Sequence, residues 1–280
     1  MLGAAKQQIV RVARVARPGN RWSYGEGRFA MYWHAGEPNF GDVLSPLILG
    51  AHLPGEPRWA SATFAAKIVG LGSVAHTITA GDLVLGTGSI DGAPQPLPTR
   101  TRVLAVRGPR TAKALGLRGE VAFGDPGLLA ADGLAPSAGV TPVPGRIALI
   151  AHHSHAAALA AELPTIAHDR DRVEILDLHG DPQAVMDGIA AAETVVSSAL
   201  HGIIAAEALR KPAIWFEVGE PLIGGRFKFH DHQEAMGRPA SDPVDLERAL
   251  AAAERGDAEA EPTDLDGIRS ALAAAAELLG

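Results

Sequence analysis

Short apolar segments alternate with segments of helical pattern along most of this 280-residue chain, and the alternation leaves few folds open to it. It occurs in two blocks, one from Phe29 to Phe123 and the other from Arg146 to Phe216. Strands that alternate with helices form parallel sheets joined by right-handed crossovers. Such sheets bind ligands beyond the carboxyl ends of their strands. We therefore predict an α/β protein in which two Rossmann-like domains face each other across a cleft.

Turn and capping signals bound the individual elements. The predicted strands cover residues 29–34, 82–85, 102–106, 121–123, 146–151, 173–178, 194–196 and 213–216, with a further apolar stretch over 67–74. The predicted helices cover residues 41–53, 109–115, 156–163, 200–209, 245–254 and 265–279. Another helix begins at Asp181 as N-cap, with Pro182 in its first position. Pro46 fits the first helix only near its first turn, because an interior proline removes a backbone hydrogen bond.

Composition changes along the chain predict four segments. Residues 132–145 are rich in proline and glycine and lack periodicity, as is typical of a linker. The first Rossmann-like domain is expected over residues 28–135 and the second over residues 146–240. Residues 241–280 are alanine-rich and acidic, and we expect them to form helices that pack against the domains.

Charge and composition exclude several classes of protein. The net charge is −7, and the only strongly basic segment lies within residues 1–27, so a nucleic-acid partner is not expected. No apolar run approaches the roughly 20 residues that span a bilayer, and arginines interrupt every candidate secretory signal. We expect a cytoplasmic protein. The basic residues 1–21 are expected to form a solvated terminal segment, with contact to the inner face of a membrane as the alternative.

Polar residues follow two strands of the first block. Asn39 can cap the next helix, and Asp42 could accept a proton from a hydroxyl, hold a sugar or only support the helix N-terminus. Residues 86–89 form a glycine-rich turn, in which free amides around Gly88 and Ser89 could hold an anion. Turns also require glycine for conformational reasons alone, so both interpretations of this second motif remain open.

Arg107 ends an apolar strand, where an unpaired guanidinium would be costly. It therefore needs an anionic partner, either a ligand carboxylate or phosphate or an internal carboxylate such as Asp125. We favour the ligand, and Arg110, one helical turn further on, is a second candidate. Asp125 closes the next strand, where we favour a structural use over a direct place in the site.

Histidines follow the first strand of the second block. His152 or His153 could contact substrate, and His155 comes close behind. Their spacing matches no tetrahedral metal pattern, and the chain contains no cysteine, so no metal site is predicted.

Residues 197–202 (SSALHG) join a buried strand to an apolar helix and give the clearest indication of a site. Ser198 is expected to cap the helix, so that the following amides form an anion pocket at the positive end of the helix dipole. His201 could bind phosphate or act as a general acid, because imidazole titrates near neutrality, or it could only cap or pack. The residues predicted for this pocket are Ser197, Ser198, Leu200, His201 and Gly202.

Two further groups have an open interpretation. Glu207 lies in an otherwise apolar helix and either has an internal partner or contacts substrate. Gly224 and Gly225 precede a cationic segment and resemble the hinge of a closing loop. In that segment Lys228 could bind the ligand, or it could form a surface ion pair with Asp231.

Six motifs in order resemble the polysaccharide pyruvyl transferase family, in particular its succinoglycan-type branch. They are NFGD (39–42), GTGS (86–89), VRGPRT (106–111), GDP (124–126), SSALHG (197–202) and RFKFHD (226–231). The resemblance implies a fold similar to the two-domain GT-B glycosyltransferases. It implies phosphoenolpyruvate as donor substrate, no cofactor, and a hydroxyl pair of a sugar, oligosaccharide or lipid-linked saccharide as acceptor. Such a transferase would form a cyclic ketal in exopolysaccharide or cell-surface glycan biosynthesis.

The resemblance also implies roles for residues. The family's donor-binding arginine corresponds to Arg107 and its essential histidine to His201, and we expect Asp42 to complete the catalytic set. Many members have Arg-Leu-His where this chain has Ala199-Leu200-His201. The missing charge would have to come from a nearby cation, for which the candidates are Arg110, Arg226 and Lys228. A nucleotide-sugar glycosyltransferase of similar fold and a non-catalytic glycan-assembly subunit are the alternative functions.

Overall fold

A computed structural model of the chain describes Trp22 and residues 27–36, 39–166 and 170–280. The prediction of a basic membrane-contacting segment at residues 1–21 lies outside the described residues. Within the described part of the chain, no helix has the length and apolar character needed to cross a bilayer.

The first half of the chain forms a six-stranded parallel sheet. Its strands are β1 (Arg28–Tyr32), β2 (Glu56–Trp59), β3 (Ile68–Val69), β4 (Leu83–Leu85), β5 (Arg102–Val106) and β6 (Ala122–Phe123), in the order β2-β1-β3-β4-β5-β6. Its helices are α1 (Phe40–His52), α2 (Pro109–Ala114) and α3 (Ala130–Gly133).

The second half forms a five-stranded parallel sheet. Its strands are β7 (Ile147–Ile150), β8 (Val173–Ile175), β9 (Thr194–Ser197), β10 (Ala213–Glu217) and β11 (Val244–Asp245), in the order β11-β10-β9-β7-β8. The helices after β7 are α4 (Ala156–Ile166), α5 (Pro182–Ala191), α6 (Leu200–Ala208), α7 (Phe227–Ala235), α8 (Leu246–Arg255) and α9 (Asp266–Leu279).

The two sheets share one topology. Counted from its own first strand, each begins with the order 2-1-3-4-5, which is that of flavodoxin-like doubly wound sheets. The direction of winding reverses between β1 and β3 in the first sheet and between β7 and β9 in the second. Ligands bind outside the carboxyl ends of strands at such reversals. The predicted α/β class with two Rossmann-like domains is confirmed.

A continuous apolar core connects the halves. The central strands β3, β4, β7 and β9 are buried throughout, as parallel strands covered on both faces must be. One cluster of buried side chains includes Phe40 and Leu44 of α1 together with Ile150 of β7 and Met186 of α5. The Phe40 amide also donates to the Leu178 carbonyl over 2.7 Å, so the start of α1 is fixed to the second half.

The last two helices serve different sheets. Helix α8 packs against β9 and β10, whereas α9 returns to the first half and packs against β4, β5 and β6. The buried face of α9 includes Ile268 and Leu272. Residues 241–280 therefore complete both domains rather than forming a unit of their own.

Three features differ from the sequence-based prediction. The edge strands β2 and β11 were not predicted, because they are short and mostly exposed and so lack an apolar pattern. Helix α1 continues through Pro46 in its second turn, where its buried apolar face packs on the core. The predicted closing loop is instead the turn before α7, and its Gly224 is fixed at φ +76° with an added Cβ only 2.1 Å from the Ile90 carbonyl oxygen.

Candidate active site

His201 lies at the junction of the two halves, in the first turn of α6. Its Nε2 is 3.7 Å from Oδ2 of Asp125, a residue without solvent exposure at the end of β6. The opposite edge of the ring packs on α1, where a Cβ added to Gly41 would lie 2.1 Å from Nδ1. Glycine at position 41 is therefore required for His201 to occupy this place.

The carboxylate of Asp125 is held in place facing the imidazole of His201. Its Oδ1 accepts a hydrogen bond of 2.8 Å from the Gly127 amide, and Oδ2 has no hydrogen-bond partner among the described residues. Burial acts to raise the pKa of Asp125, but His201, the Gly127 amide and Arg107 outweigh it and hold the pKa below its ordinary value. The charged carboxylate favours a proton on Nε2 of His201.

The tautomer follows from this arrangement. Nε2 of His201 has no access to solvent, although 19% of the side chain is exposed. With a proton on Nε2 directed at Asp125, Nδ1 of the neutral ring is a proton acceptor, and in the imidazolium it is a donor. Of the two ring nitrogens, only Nδ1, which lies beside Gly41, is therefore available for chemistry on a bound molecule.

The start of α6 differs from the prediction in its cap. Ala199, not Ser198, is the N-cap, and it provides no side-chain cap. The Ser198 hydroxyl instead accepts from the His152 amide over 3.0 Å, and Oγ of Ser197 bonds to Ala199. In the described part of the chain, the Leu200 and His201 amides donate to no acceptor. This uncapped helix start can bind an anion.

Asp42 has the structural role that was foreseen for it, at the helix N-terminus. Its carboxylate accepts from the Asn39 amide over 3.2 Å, and Asn39 accepts from the Asp42 amide over 3.3 Å, so the two residues form a capping box at the start of α1. Burial raises the pKa of Asp42, although the Asn39 amide and then His201, His34 and His179 act in the opposite direction. Asp42 is thus also a carboxylate of increased basicity near His201.

Arg107 is enclosed by the protein, which corrects the prediction of a direct ligand contact. The side chain has no solvent exposure. Its Nε donates to Asp231 of α7 over 3.0 Å, Nη1 to the Ser73 hydroxyl over 2.7 Å, and Nη2 to the Ser89 carbonyl over 2.7 Å. The internal carboxylate is therefore Asp231, not Asp125. Arg107 ties the first sheet to α7.

The turn at residues 86–89 makes room for that guanidinium. A Cβ on Gly88 would lie 2.1 Å from Cζ of Arg107. The Gly86 amide donates to Ala105, the Gly88 amide to Gly72, and the Ser89 amide to the Thr111 hydroxyl. The sequence left two interpretations of this turn open, and the satisfied amides of Gly88 and Ser89 favour the conformational one.

Two candidates for the missing cation are already paired. Arg110 forms a two-pronged contact with Glu234, at 3.0 and 2.8 Å. Arg226 contacts Glu217 and Asp242 at 2.8 and 2.9 Å. Their guanidinium groups are thus held by protein carboxylates, and neither replaces the charge that Ala199 lacks.

Lys228 is the remaining candidate. Within the described ranges its ammonium group contacts no carboxylate, and Nζ lies 5.5 Å from the centre of the Phe229 ring. Burial, with a smaller contribution from Arg107, lowers the pKa of Lys228 to about 8. The alternative of a surface ion pair with Asp231 is wrong, because Asp231 is buried against Arg107. Lys228 therefore holds a positive charge near Arg107 and His152 that a ligand could neutralise.

Three histidines, His152, His153 and His179, lie close together on the second-half side of this region. The rings of His152 and His153 lie 4.1 Å apart, and that of His179 lies 5.9 Å from His153. Burial and then Lys228 lower the pKa of His152 to about 3, so this ring is neutral. His155 is buried and contacts the Glu220 carbonyl instead. The described residues contain no cluster of three or more side chains arranged to hold a metal ion.

Two residues near Asp42 were missed by the sequence reasoning. His34 follows β1 and His179 follows β8, and both influence the charge of Asp42. The signal that could have identified them is their place beyond strand carboxyl ends. Glu207, whose role was left open, has internal partners in His232 and Arg238.

Three comparisons show which known proteins the chain resembles. The polysaccharide pyruvyl transferase family matches residues 99–220. The succinoglycan biosynthesis protein ExoV of Rhizobium meliloti (strain 1021) is 29% identical over 222 residues, which cover 76% of this chain and 67% of that protein. Among solved structures, the glycotransferase of kitacinnamycin matches with 13% identity and a TM-score of 0.30 over 62% of this chain, which spans half of that chain. The comparisons support a transferase that is similar to the polysaccharide pyruvyl transferases over residues 99–220 and to a protein of succinoglycan biosynthesis over three quarters of the chain.

Proposed function

We propose that this protein transfers the pyruvyl group of phosphoenolpyruvate to two hydroxyls of one sugar unit, which forms a cyclic ketal during exopolysaccharide or cell-surface glycan biosynthesis. The pairing of His201 with buried Asp125 beside an uncapped helix start is the observation on which the proposal rests. The match to the pyruvyl transferase family supports the reaction type.

In this proposal, the start of α6 and Lys228 bind the donor. The Leu200 and His201 amides and the helix dipole attract its phosphate or carboxylate, and Lys228 neutralises the other group. Lys228 thereby supplies the charge that Ala199 does not. Arg107 contributes indirectly, because its bond to Asp231 fixes the helix that carries Lys228.

His201 acts as the general acid. Its imidazolium donates the Nδ1 proton to the methylene carbon of the donor, and the central carbon becomes electrophilic. The negative charge of Asp125 stabilises the imidazolium before the transfer and keeps the ring in place. Asp125 is thus a positioning residue rather than a group that touches substrate.

The remaining steps balance with two sugar hydroxyls. One hydroxyl, deprotonated with help from Asp42, attacks the central carbon, and a C–O bond forms. The bond from that carbon to the phosphate oxygen then breaks, and phosphate leaves. The second hydroxyl forms the second C–O bond and loses its proton. Of the two hydroxyl protons, one replaces the proton that His201 gave to the methyl group, and the other leaves with phosphate.

The test is an assay of phosphate release from phosphoenolpyruvate with saccharide acceptors, including oligosaccharides derived from succinoglycan and a lipid-linked saccharide. Mass spectrometry of the acceptor would detect the ketal. The His201→Ala variant should lose turnover, whereas His76→Ala, which changes an exposed histidine outside the site, should retain it. Near-normal turnover of His201→Ala would remove His201 from the mechanism, and a response only to nucleotide sugars would replace pyruvyl transfer by glycosyl transfer.

A further inference from the structure

Three histidines of the second half, His152, His153 and His179, form a row of neighbouring rings. The centres of the first two rings lie 4.1 Å apart, and those of His153 and His179 lie 5.9 Å apart. At one end of the row, burial and then the charge of Lys228 lower the pKa of His152. At the other end, burial raises the pKa of Asp42, and His179 is one of the histidines that oppose this rise. The histidine row thus connects the cation proposed to bind the donor with the carboxylate proposed to act on the acceptor.

The turn that carries His179 is fixed through its backbone. It follows β8, and Oδ1 of Asp177 accepts a hydrogen bond of 2.9 Å from the His179 amide. The next carbonyl before His179, that of Leu178, accepts from the amide of Phe40 over 2.7 Å. Phe40 is the first residue of α1 and lies two positions before Asp42. These bonds hold His179 next to the start of α1 without using its ring.

The imidazole of His179 is open to a ligand. The residue is exposed, and among the described residues its only hydrogen bond is the one that its amide donates. Its ring meets that of His153 edge to face, with an angle of 72° between the planes, and this contact orients it. A neutral imidazole has one nitrogen that can accept a proton from a bound hydroxyl.

His34 is the other histidine beyond a strand end that influences Asp42, but its setting differs. A Cβ added to Gly36 would lie 3.3 Å from Nε2 of His34, so this ring packs against its own loop. It also belongs to the same half of the chain as Asp42. His179 comes from the opposite half, so Asp42 and His179 can contact different atoms of one ligand.

The proposed reaction needs a proton acceptor at each of two hydroxyls. Asp42 serves the first. After phosphate has left, the central carbon belongs to an oxocarbenium ion, which water can attack as well as the second hydroxyl. A base already in place at the second hydroxyl favours closure of the ketal ring, and general bases typically contribute about 10²–10⁴ in rate.

We propose that His179 is the catalytic base of ring closure, an inference that rests on the proposed pyruvyl transfer. A lone pair of the second hydroxyl oxygen forms the second C–O bond, and a ring nitrogen of His179 takes the proton. The electron pair of the broken O–H bond stays on that oxygen, and the π pair of the oxocarbenium ion returns to the first oxygen. The exposed imidazolium then releases its proton to solvent.

The test compares three products of one reaction between phosphoenolpyruvate and an oligosaccharide derived from succinoglycan. Phosphate is measured by colorimetry, pyruvate with lactate dehydrogenase and the ketal by mass spectrometry. The wild-type protein should release one phosphate for each ketal. His179→Gln should still release phosphate, but water should capture the oxocarbenium ion, so pyruvate should replace most of the ketal. The rate of ketal formation should fall about a hundredfold.

The choice of variants separates a base from a side chain that only fills space. Glutamine occupies much of the volume of the ring and forms hydrogen bonds, but it accepts no proton near neutral pH. His179→Ala, which removes the volume as well, should give the same products as His179→Gln. His76→Ala changes an exposed histidine outside the site and should keep the wild-type ratio of ketal to phosphate. Unchanged melting temperatures would show that the variants fold.

The outcomes distinguish this role from the proposed function. If the wild-type protein forms no ketal, pyruvyl transfer is wrong and the role of His179 with it. If the wild-type protein forms the ketal and His179→Gln keeps its ratio of ketal to phosphate, only the role of His179 is wrong. The role is equally wrong if phosphate and ketal fall together in His179→Gln and no pyruvate appears, because His179 would then act before ring closure.

Discussion

Arg107 and Asp231 form an ion pair that is sealed from solvent and joins residues 124 positions apart. Asp231 also accepts from the amide and the hydroxyl of Thr111, at 3.0 and 2.6 Å. Each charge therefore depends on a partner from the opposite half of the chain, since β5 belongs to the first sheet and α7 follows the fourth strand of the second domain.

Removal of one partner should be costly. Asp231→Asn leaves the Arg107 charge buried without its carboxylate, and we expect the free energy of unfolding to fall by about 3–5 kcal/mol. The measurement is urea denaturation followed by circular dichroism. The matched control is Asp257→Asn, which breaks an exposed ion pair with Arg255 and should cost less than about 1 kcal/mol. Equal effects of the two variants would contradict a structural role for the Arg107–Asp231 pair.

Gly41→Ala should lower activity without unfolding the protein. The new Cβ would lie 2.1 Å from Nδ1 of His201, so the ring must move. A displacement of this order in a catalytic group can reduce kcat about a hundredfold. Gly50→Ala is the control in the same helix, because its Cβ approaches only the Pro57 ring, at 3.2 Å, and alanine favours the helix. Comparable kcat values for the two variants would show that the position of His201 is not critical.

Asp125→Asn should impair catalysis by removing the charge that orients His201. We expect kcat to fall about a hundredfold or more while the KM for phosphoenolpyruvate changes little, since Asp125 touches no substrate. Exposed Asp132, which pairs with His52, gives the control variant Asp132→Asn. A change in KM alone would argue against a positioning role.

The same carboxylate should affect stability in acid. Its pKa is depressed in the folded protein, so its ionised form contributes stability above the unfolded value of about 4. This contribution is lost as the pH falls from there through the folded pKa. The difference in unfolding free energy between wild type and Asp125→Asn should therefore shrink below pH 4, in denaturation curves recorded across the acid range. A difference in unfolding free energy that grows toward low pH would contradict a depressed pKa of Asp125.

Lys228 should give donor binding an alkaline limit. Its pKa of about 8 means that the ammonium group loses its proton above that pH, and affinity for phosphoenolpyruvate should then fall as the pH rises. In Lys228→Arg the charge persists, so affinity measured by calorimetry should stay level through this range. Lys228→Ala should bind weakly at every pH, and the exposed control Lys113→Ala should behave like wild type. If the affinity of Lys228→Arg also fell as the pH rises through this range, the pH dependence would belong to another group.

The sequence predicted what depends on local pattern. The alternation of strands and helices predicted both sheets. The rule that sites lie beyond strand ends identified Asp42, Asp125 and His201, which follow β1, β6 and β9. The edge strands were not predicted because their exposed residues show no alternation of apolar and polar side chains. Helix α7 was not predicted because its packing partner α2 lies in the other half of the chain. The Asp231 partner of Arg107 escaped for the same reason, since no local signal links residues so far apart. The expected cap at Ser198 failed because its hydroxyl is bound by the His152 amide.

The return of α9 to the first sheet sets an order for synthesis. A nascent chain can form the second sheet and its α8 cover while β4, β5 and β6 still expose the face that Ile268 and Leu272 will cover. That surface stays open until residues 266–279 have left the ribosome. The domain that is translated first is thus the one finished last, and it is the half most exposed to chaperones and proteases in the meantime.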